Sequence, residues 1–296
     1  MFTPFVFWPC LMGVIYLGYG VFSVRAELLQ ARGLEKVIAL GPVFVAAALA
    51  AFGAEHIAGA SFIQKVVPAW MPGQLFWAYF VGVALMAAAV SLLAMRYVRL
   101  TAVMLTIMFV LFVLMLHLPR VAANPRDRIS WAVALRDLTF AGGALCLAGM
   151  HTKQWREGGT NLPITIGRVI VGGVLVFYGV EHFLHAEFVP VVPLEKLTPV
   201  WMPLRMVWGY VVGAVVLACG AAVLAKFRAR AAAAWLGLVI AVVTLFFYLP
   251  ILLRDVLPFE RLEGLNYVFD TMLFGGTVLL VAAAMPRDGS AGSAVS

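Results

Sequence analysis

The chain has 296 residues, of which 64% are hydrophobic and only 12% charged, and its mean hydropathy is +1.01. Soluble globular proteins are about half apolar and one-quarter charged, so this composition excludes an ordinary soluble domain and indicates a membrane protein. The net charge of +7 does not indicate nucleic-acid binding, because the basic residues are scattered between apolar runs. We therefore expect membrane lipids, and no nucleic acid, as partners.

Nine apolar runs are each about 20 residues long, the length that an α-helix needs to cross a hydrocarbon core. The first run has neither a basic start nor a small-residue cleavage site, so we interpret it as a retained helix and not as a signal peptide. The sequence therefore predicts an all-α polytopic membrane protein. The predicted spans are 5–24, 38–57, 75–95, 100–118, 130–149, 164–184, 205–225, 231–250 and 264–284.

Basic residues in the connecting segments predict the orientation of these helices. One set of alternate segments, which begins after the first span, holds 12 Lys and Arg against 4 acidic residues, whereas the other set holds 9 against 10. The first set is the more positive and is expected on the cytoplasmic side. This places the N-terminus outside and the C-terminus in the cytoplasm.

Two segments of the chain repeat each other in order. The pair Glu-His and the triplet Trp-Met-Pro each occur twice, at offsets of 126 and 131 residues. The matches continue through the Leu-Pro pairs at 118 and 249 to Asp137 and Asp270, which are 133 residues apart. Between the first two blocks, the second copy has a five-residue insertion around VPLEK. We interpret this pattern as an internal duplication.

The duplication predicts the domain organisation. A leading helix and cytoplasmic loop occupy residues 1–36, two four-helix repeats occupy 37–150 and 164–285, and a disordered tail occupies 286–296. Each repeat has four spans, an even number, so both repeats enter the membrane from the same side and are parallel. The two Glu-His pairs are therefore expected at the same depth, near the outer ends of two four-helix bundles.

Glu55-His56 and Glu181-His182 are the first candidates for chemistry, because ionisable side chains near the end of a span need a partner or water. Adjacent helical residues point about 100° apart, so the two members of a pair face different neighbours. Two interpretations stay open. Either the pair anchors the helix end at the interface, or it handles protons or contacts a ligand.

The second copy also carries His185, one helical turn after Glu181 and His182. This spacing puts two imidazoles, or an imidazole and a carboxylate, on one helical face. The first copy has Gly59 at the position of His185, and two ligands on one turn are too few for a metal ion. We therefore predict no metal site and keep His185 as a candidate for proton or ligand chemistry.

Two aromatic segments follow the Glu-His pairs. Prolines flank a Trp in each segment, and a Trp and a Tyr two residues apart begin the next span. One interpretation is an aromatic belt at the headgroup level. The other is an aromatic lid that stacks the ring of a quinone or isoprenoid over a cavity. The candidate ligand contacts are Trp70, Trp77, Tyr79, Trp201, Trp208 and Tyr210.

Asp137 and Asp270 lie inside the last span of each repeat, five residues before a Gly-Gly pair. An aspartate in a span usually faces the bundle and pairs with another group. Arg136 is adjacent to the first aspartate, and Arg120 and Arg254 follow the Leu-Pro motifs. We predict structural ion pairs among these residues that hold the fourth helix of each bundle.

Each copy has a Gly-x-x-His pattern, then two prolines, and then an aromatic residue and a glycine in the next helix. In this pattern the chain resembles the DoxX family of small bacterial four-helix membrane proteins. The matching residues are Gly53, His56, Pro68, Pro72, Tyr79 and Gly82 in the first copy and Gly179, His182, Phe183, Pro199, Pro203, Tyr210 and Gly213 in the second. Family members often have an acidic residue after the second-helix glycine, where this chain has Val83 and Ala214. The resemblance implies a four-helix fold, a bacterial inner-membrane location and a quinone-linked redox role.

Two functions follow, and whether the protein is an enzyme stays open. In the first, it is a membrane subunit of a quinone-linked oxidoreductase that works with a redox partner subunit. His56 and His182 would contact a ring carbonyl or move protons, and Glu55 and Glu181 would orient them. No motif for a covalently held cofactor is present, so any redox cofactor would bind noncovalently or be supplied by a partner. In the second, it binds or moves a hydrophobic small molecule, or scaffolds a partner.

Overall fold

The computed structural model describes residues 4–157, 161–254 and 257–287. Within these residues, nine helices are long and apolar enough to cross a membrane and no strand forms, so the predicted all-α polytopic membrane fold is confirmed. The predicted tail lies outside the described residues except for Pro286 and Arg287. The nine helices are α1 (Pro4–Ser23), α2 (Leu34–Ala58), α3 (Gln74–Leu93), α4 (Val98–Ala123), α5 (Arg128–Met150), α6 (Leu162–Leu184), α7 (Arg205–Leu224), α8 (Ala229–Arg254) and α9 (Phe259–Ala284).

α4 and α8 continue beyond the Leu-Pro motifs at which the sequence predicts their ends. The reason is a wide turn directly before each motif, since residues Val113–His117 and Thr244–Tyr248 are π-helical. The N–H groups of Leu118 and Leu249 donate to carbonyls five residues back, one residue further than in an α-helix. This wider turn accommodates the following proline, which has no N–H and otherwise ends a helix.

Polar caps fix the beginnings of α5 and α6. The Asp127 carboxylate accepts hydrogen bonds from the backbone N–H groups of Ile129 and Ser130, at 3.4 and 3.1 Å. The Asn161 side chain accepts one from Ile164 N at 3.1 Å. These bonds satisfy donors that have no partner inside the helix. Each cap therefore sets the point at which its helix begins, and with it the depth of every side chain on that helix.

α9, α2 and α5 form the centre of the bundle. In their most apolar windows 89%, 72% and 67% of the residues are buried, against 22% in α1 and α4. The central part of α2, residues 45–51, is five alanines, a valine and a leucine, all of them buried. Small residues let helices approach closely in a membrane, where van der Waals packing replaces the hydrophobic effect as the source of association.

The helices on either side of this centre make corresponding contacts. α2 packs against α3 and α9, and α6 packs against α7 and α5. α4 packs against α5, α8 packs against α9, and α5 and α9 also contact each other. The first helix of each set of four therefore packs against the last helix of the other set.

Glycines lie at both of these crossings between the sets. A Cβ added at Gly167 of α6 would lie 2.3 Å from the Gly142 carbonyl oxygen of α5. A Cβ added at Gly276 of α9 would lie 3.0 Å from the Gly41 carbonyl oxygen of α2. The backbones approach so closely at these points that a side chain at Gly167 or Gly276 would force the helices apart.

The segments that follow α2 and α6 fold differently. After α2, Ala60–Ile63 and Gln64–Val66 form two short helices at the surface. After α6, residues 185–204 form an irregular segment with one antiparallel bridge, between Phe188 and Leu197. Val189 and Val191 of this segment are fully buried. The segment after α6 is therefore packed into the bundle, unlike the one after α2.

Candidate functional site

A cavity of about 1030 Å³ lies between α2, α3, α4, α5 and α9. It extends along α4 from Leu100 to Leu116, which is about 24 Å of helix axis. Three of the residues that line it, Phe80, Met104 and Leu111, are also 53%, 50% and 45% exposed. Because these residues lie on α3 and α4, the cavity opens between the two helices toward the lipid-facing surface.

The side chains of α3 and α4 explain why space remains between them. α3 presents Ala84, Ala87 and Ala88 to the cavity, and their methyl groups do not reach the opposite helix. α4 presents Met104 and Met108, whose unbranched side chains adapt to irregular shapes. The result is a long apolar cleft with adaptable walls.

One end of the cavity is polar. Glu55 and His56 reach it from α2, Arg136 from α5, and Asn266 and Asp270 from α9. With its amide oriented to satisfy its neighbours, the Asn266 nitrogen donates to both carboxylate oxygens of Glu55, at 2.9 and 3.3 Å. The carboxylate of Glu55 is thereby fixed at the wall of a largely apolar cavity.

Arg136 joins α5 to α9 at this polar end. Its Nη1 donates to Asp270 at 2.6 Å and its Nε donates to Asp137 at 3.1 Å. Asp137 also bonds Nε2 of His117 at 2.9 Å. Both aspartates are buried, so the guanidinium is held between two carboxylates from helices that are far apart in the sequence.

Of the three arginines that the sequence offered as partners of the two aspartates, Arg136 pairs with them, and Arg120 and Arg254 do not. Both arginines are exposed, and the Arg254 guanidinium lies over the ring of Trp201, 4.3 Å from the ring centroid. Because α4 and α8 continue past the Leu-Pro motifs, these two side chains emerge at the surface. Arg136 lies inside the bundle and takes both partners.

His56 faces the cavity with one nitrogen already bonded. Its Nδ1 lies 2.8 Å from the Phe52 carbonyl oxygen, which can only accept, so the neutral ring carries its proton on Nδ1. Nε2 then holds a lone pair and has no hydrogen-bond partner among the residues that the structure describes. A ligand hydroxyl or ammonium group can donate to this nitrogen.

His182, the residue that matches His56 in the second copy, has both ring nitrogens bonded to the backbone. Its Nδ1 lies 2.5 Å from the Tyr178 carbonyl oxygen, and the Val191 N–H donates to its Nε2 at 2.8 Å. The residue is 2% exposed. His182 therefore holds the 185–204 segment in place and has no nitrogen left for a ligand.

Glu181 lies beside Arg128, which also bonds the 185–204 segment. The Arg128 guanidinium is 3.7 Å from the Glu181 carboxylate and donates to the carbonyl oxygens of Pro193 and Leu194, at 2.6 and 3.2 Å. One carboxylate oxygen of Glu181, Oε2, is buried without a hydrogen bond within the described part of the chain. The second Glu-His pair thus anchors the 185–204 segment.

The same segment occupies space inside the second set of helices. Tyr248, which matches His117 of the first copy, donates its hydroxyl hydrogen bond to the Pro190 carbonyl oxygen. A Cβ added at Gly209 of α7 would lie 2.5 Å from the Ala186 carbonyl oxygen. Ala78, which matches Gly209, lines the cavity, whereas Gly209 and Tyr248 contact the 185–204 segment.

The remaining candidates lie apart from the cavity, with one exception. His185 ends α6, and its Nδ1 is 3.7 Å from the Glu187 carboxylate. Among the described residues, no group of three or more His, Cys, Asp or Glu side chains is placed to hold a metal ion. Of the six aromatic candidates only Trp77 lines the cavity. The other five have exposed rings: Trp70, Tyr79, Trp201, Trp208 and Tyr210.

Several features of the site were not visible in the sequence. Asn266 carries no motif, and the bond between His117 and Asp137 joins residues on different helices. One signal was present, because the insertion lies beside the second Glu-His pair only and His117 is replaced by Tyr248. Both differences indicate that the interiors of the two sets of helices are packed differently.

The comparisons with known proteins concern a segment that supplies part of the cavity lining. The model of one family, described as a domain of unknown function (DUF8561), matches residues 45–136, which is less than half of the chain. The matched segment runs from α2 to Arg136 in α5 and includes Glu55 and His56. No curated protein and no solved structure matches the chain.

Proposed function

We propose that this protein binds a long apolar molecule with a polar head group, which it takes up from the bilayer between α3 and α4. The observation that carries the proposal is the cavity itself. Its volume of about 1030 Å³ is at the upper end of the range of small-molecule sites. The apolar walls suit a hydrocarbon or isoprenoid chain, and the polar groups at one end suit a head group.

The polar groups favour a head group that donates hydrogen bonds. The Glu55 carboxylate, the Asp270 carboxylate and Nε2 of His56 are all acceptors, whereas Arg136 already donates to two aspartates. A hydroxyl or ammonium group would find acceptors on both α2 and α9. Such a ligand would lie with its chain along α4 and its head at the outer end of the helix.

The proposal includes a tandem origin for the chain. Two DoxX-like four-helix units, at 37–150 and 164–285, would lie parallel in a bacterial inner membrane with the N-terminus outside. The matched π-helical turns at 113–117 and 244–248 and the paired glycine crossings support this relationship. The first unit would keep the binding cavity, and the second would hold its own 185–204 segment in the matching space.

A quinol is the second candidate for the occupant, and it would make the protein a subunit of a quinone-linked oxidoreductase. The observation in its favour is the tautomer of His56, whose Nε2 can accept from a quinol hydroxyl but, in the neutral ring, cannot donate to a quinone carbonyl. The electrons would have to pass to a redox partner subunit. His182 would have no part in this chemistry, because both of its nitrogens are bonded.

The test is to fill the cavity and measure what remains bound. We expect native mass spectrometry of the wild-type protein in mild detergent to find an apolar molecule bound to it. Ala87→Trp places an indole ring in the cavity and should lower this occupancy at least about tenfold, which corresponds to roughly 1.4 kcal/mol of binding free energy. The matched control is Ala218→Trp on α7, since Ala218 corresponds to Ala87 but does not line the cavity.

Two outcomes would overturn the proposal. One is a wild-type protein that carries no apolar molecule and shows no saturable binding of added long-chain alcohols. The other is equal occupancy in the Ala87→Trp and Ala218→Trp proteins, which would place the molecule somewhere else. Identification of the bound molecule by its mass would distinguish a quinol from other occupants.

A further inference from the structure

The charges that line the cavity are unbalanced. Four acidic residues contribute to its walls, together with a single arginine and His56, among the residues described. The acidic residues are Glu55, Glu195, Glu263 and Asp270. Lys196, just outside the lining, lies 2.8 Å from Glu263 and compensates that carboxylate.

Arg136, the arginine of this lining, is already bonded to two other carboxylates. Arg136 bonds Asp270 and Asp137, and Asp137 is also bonded to His117. One guanidinium therefore serves two buried aspartates. It has no charge left with which to compensate Glu55.

Glu55 has no cationic partner in the part of the chain that the structure describes. Its only hydrogen-bond partner there is the neutral amide of Asn266. The residue is 8% exposed and lines the cavity. Its counterpart Glu181 has Arg128 at 3.7 Å, so the lack of a cation is specific to the copy that has the cavity.

A buried carboxylate in a membrane is unfavourable unless it is paired or protonated. Here the apolar cavity leaves room beside Glu55 for a cation that the chain itself does not supply. The groups that face this room are His56 on α2, Arg136 on α5, Asn266, Tyr267, Asp270 and Glu263 on α9, and Glu195 on the 185–204 segment.

We infer that the cavity selects amphiphiles whose head group carries a positive charge, such as a long-chain amine, and that Glu55 is the counter-ion. This inference rests on the proposed function and specifies its ligand class. The ammonium group donates to the Glu55 carboxylate and to Nε2 of His56, and the hydrocarbon chain lies along α3 and α4. A neutral alcohol of the same length fits the cavity but leaves the charge of Glu55 uncompensated.

The experiment is a competition among three ligands that differ only in their head groups. The protein, in phosphatidylcholine nanodiscs, is equilibrated with equal amounts of hexadecylamine, hexadecanol and hexadecanoic acid, and native mass spectrometry measures the bound fractions. The wild-type protein should retain the amine at least about tenfold over the alcohol, and the acid least. Glu55→Gln should reduce the preference for the amine to less than about threefold while alcohol binding persists.

Glu181→Gln is the matched control, and it should leave the preference for the amine unchanged. Equal retention of amine and alcohol by the wild-type protein would overturn the inference while leaving the proposed function intact. An unchanged preference in Glu55→Gln would also overturn it. Failure of all three ligands to bind would contradict the proposed function instead. The wild-type competition needs no variant, so the inference remains testable if Glu55→Gln does not fold.

Discussion

Arg136 joins the two halves of the protein electrostatically at the polar end of the cavity. It lies between Asp137 on its own helix and Asp270 on α9, 134 positions away in the sequence. Both carboxylates are buried, so an arginine at the surface cannot reach them in place of Arg136. Its neighbour His117 extends the same network to the π-helical turn of α4.

Replacement of Arg136 with Met should lower the free energy of unfolding by about 3–5 kcal/mol, because it leaves two buried carboxylates uncompensated. Equilibrium unfolding in mixed micelles measures this change. Arg120→Met is the control, and since Arg120 is exposed we expect a change below about 1 kcal/mol.

The triple variant Arg136→Met, Asp137→Asn, Asp270→Asn separates charge from packing. It removes the carboxylates together with the cation, so most of the lost stability should return. A single variant as stable as the Arg120→Met protein would contradict the structural role of Arg136.

At the scale of elements, glycines decide how closely the two sets of helices approach. α6 carries a direct comparison, since Gly167 faces the backbone of α5 and Gly173 has nothing within 4 Å of its Cβ position. Both positions lie on the same helix, about 9 Å apart along its axis. Their neighbours differ.

Gly167→Ala should destabilise the protein by about 1–3 kcal/mol, because its Cβ would lie 2.3 Å from the Gly142 carbonyl oxygen and the helices would have to separate. Gly173→Ala should be neutral or should stabilise by up to about 1 kcal/mol, since alanine is the better helix former. Thermal unfolding of the two variants side by side measures the difference. Equal stabilities would mean that α5 and α6 are not in backbone contact.

The segments after α2 and α6 fold differently and have different neighbours. The first copy has short surface helices after α2, and the second has a segment whose valines are buried beside His182. The Val191 N–H donates to His182, and the Pro190 carbonyl oxygen accepts from Tyr248. The 185–204 segment is therefore packed inside the protein, whereas the cavity lies against α2, α3 and α4.

At the scale of the whole molecule, the proposed parallel duplication makes a prediction about sidedness. Trp70 and Val200 are 73% and 85% exposed in the segments after α2 and α6. Tyr97 and Phe227 are 79% and 69% exposed in the turns between α3 and α4 and between α7 and α8. The first two positions should face outward and the other two the cytoplasm.

Single cysteines at these four positions test the prediction, in a background without Cys10, Cys146 and Cys219. In sealed cells, a membrane-impermeant thiol reagent should label Trp70→Cys and Val200→Cys, and it should label Tyr97→Cys and Phe227→Cys only after permeabilisation. Labelling of one member of the outward pair without the other would contradict the parallel duplication.

The amino-acid sequence by itself determined the membrane fold and the number of helices in the described chain. Nine apolar runs of membrane length have few alternatives, because a backbone in lipid must satisfy its hydrogen bonds within each segment. It also singled out both Glu-His pairs, His185 and the two aspartates as candidate ionisable groups, without distinguishing the first pair from the second. These conclusions depend on residues that are neighbours along the chain.

Only the tertiary structure decided which arginine bonds the aspartates. It also decided which Glu-His pair faces a cavity and which is covered by the 185–204 segment. Helix rotation and packing, not spacing in the sequence, bring the bonded pairs together. These pairs are Arg136 with Asp270, Asn266 with Glu55, and Tyr248 with Pro190. A cavity is the space that side chains from five helices fail to fill. No single segment of the sequence contains that information.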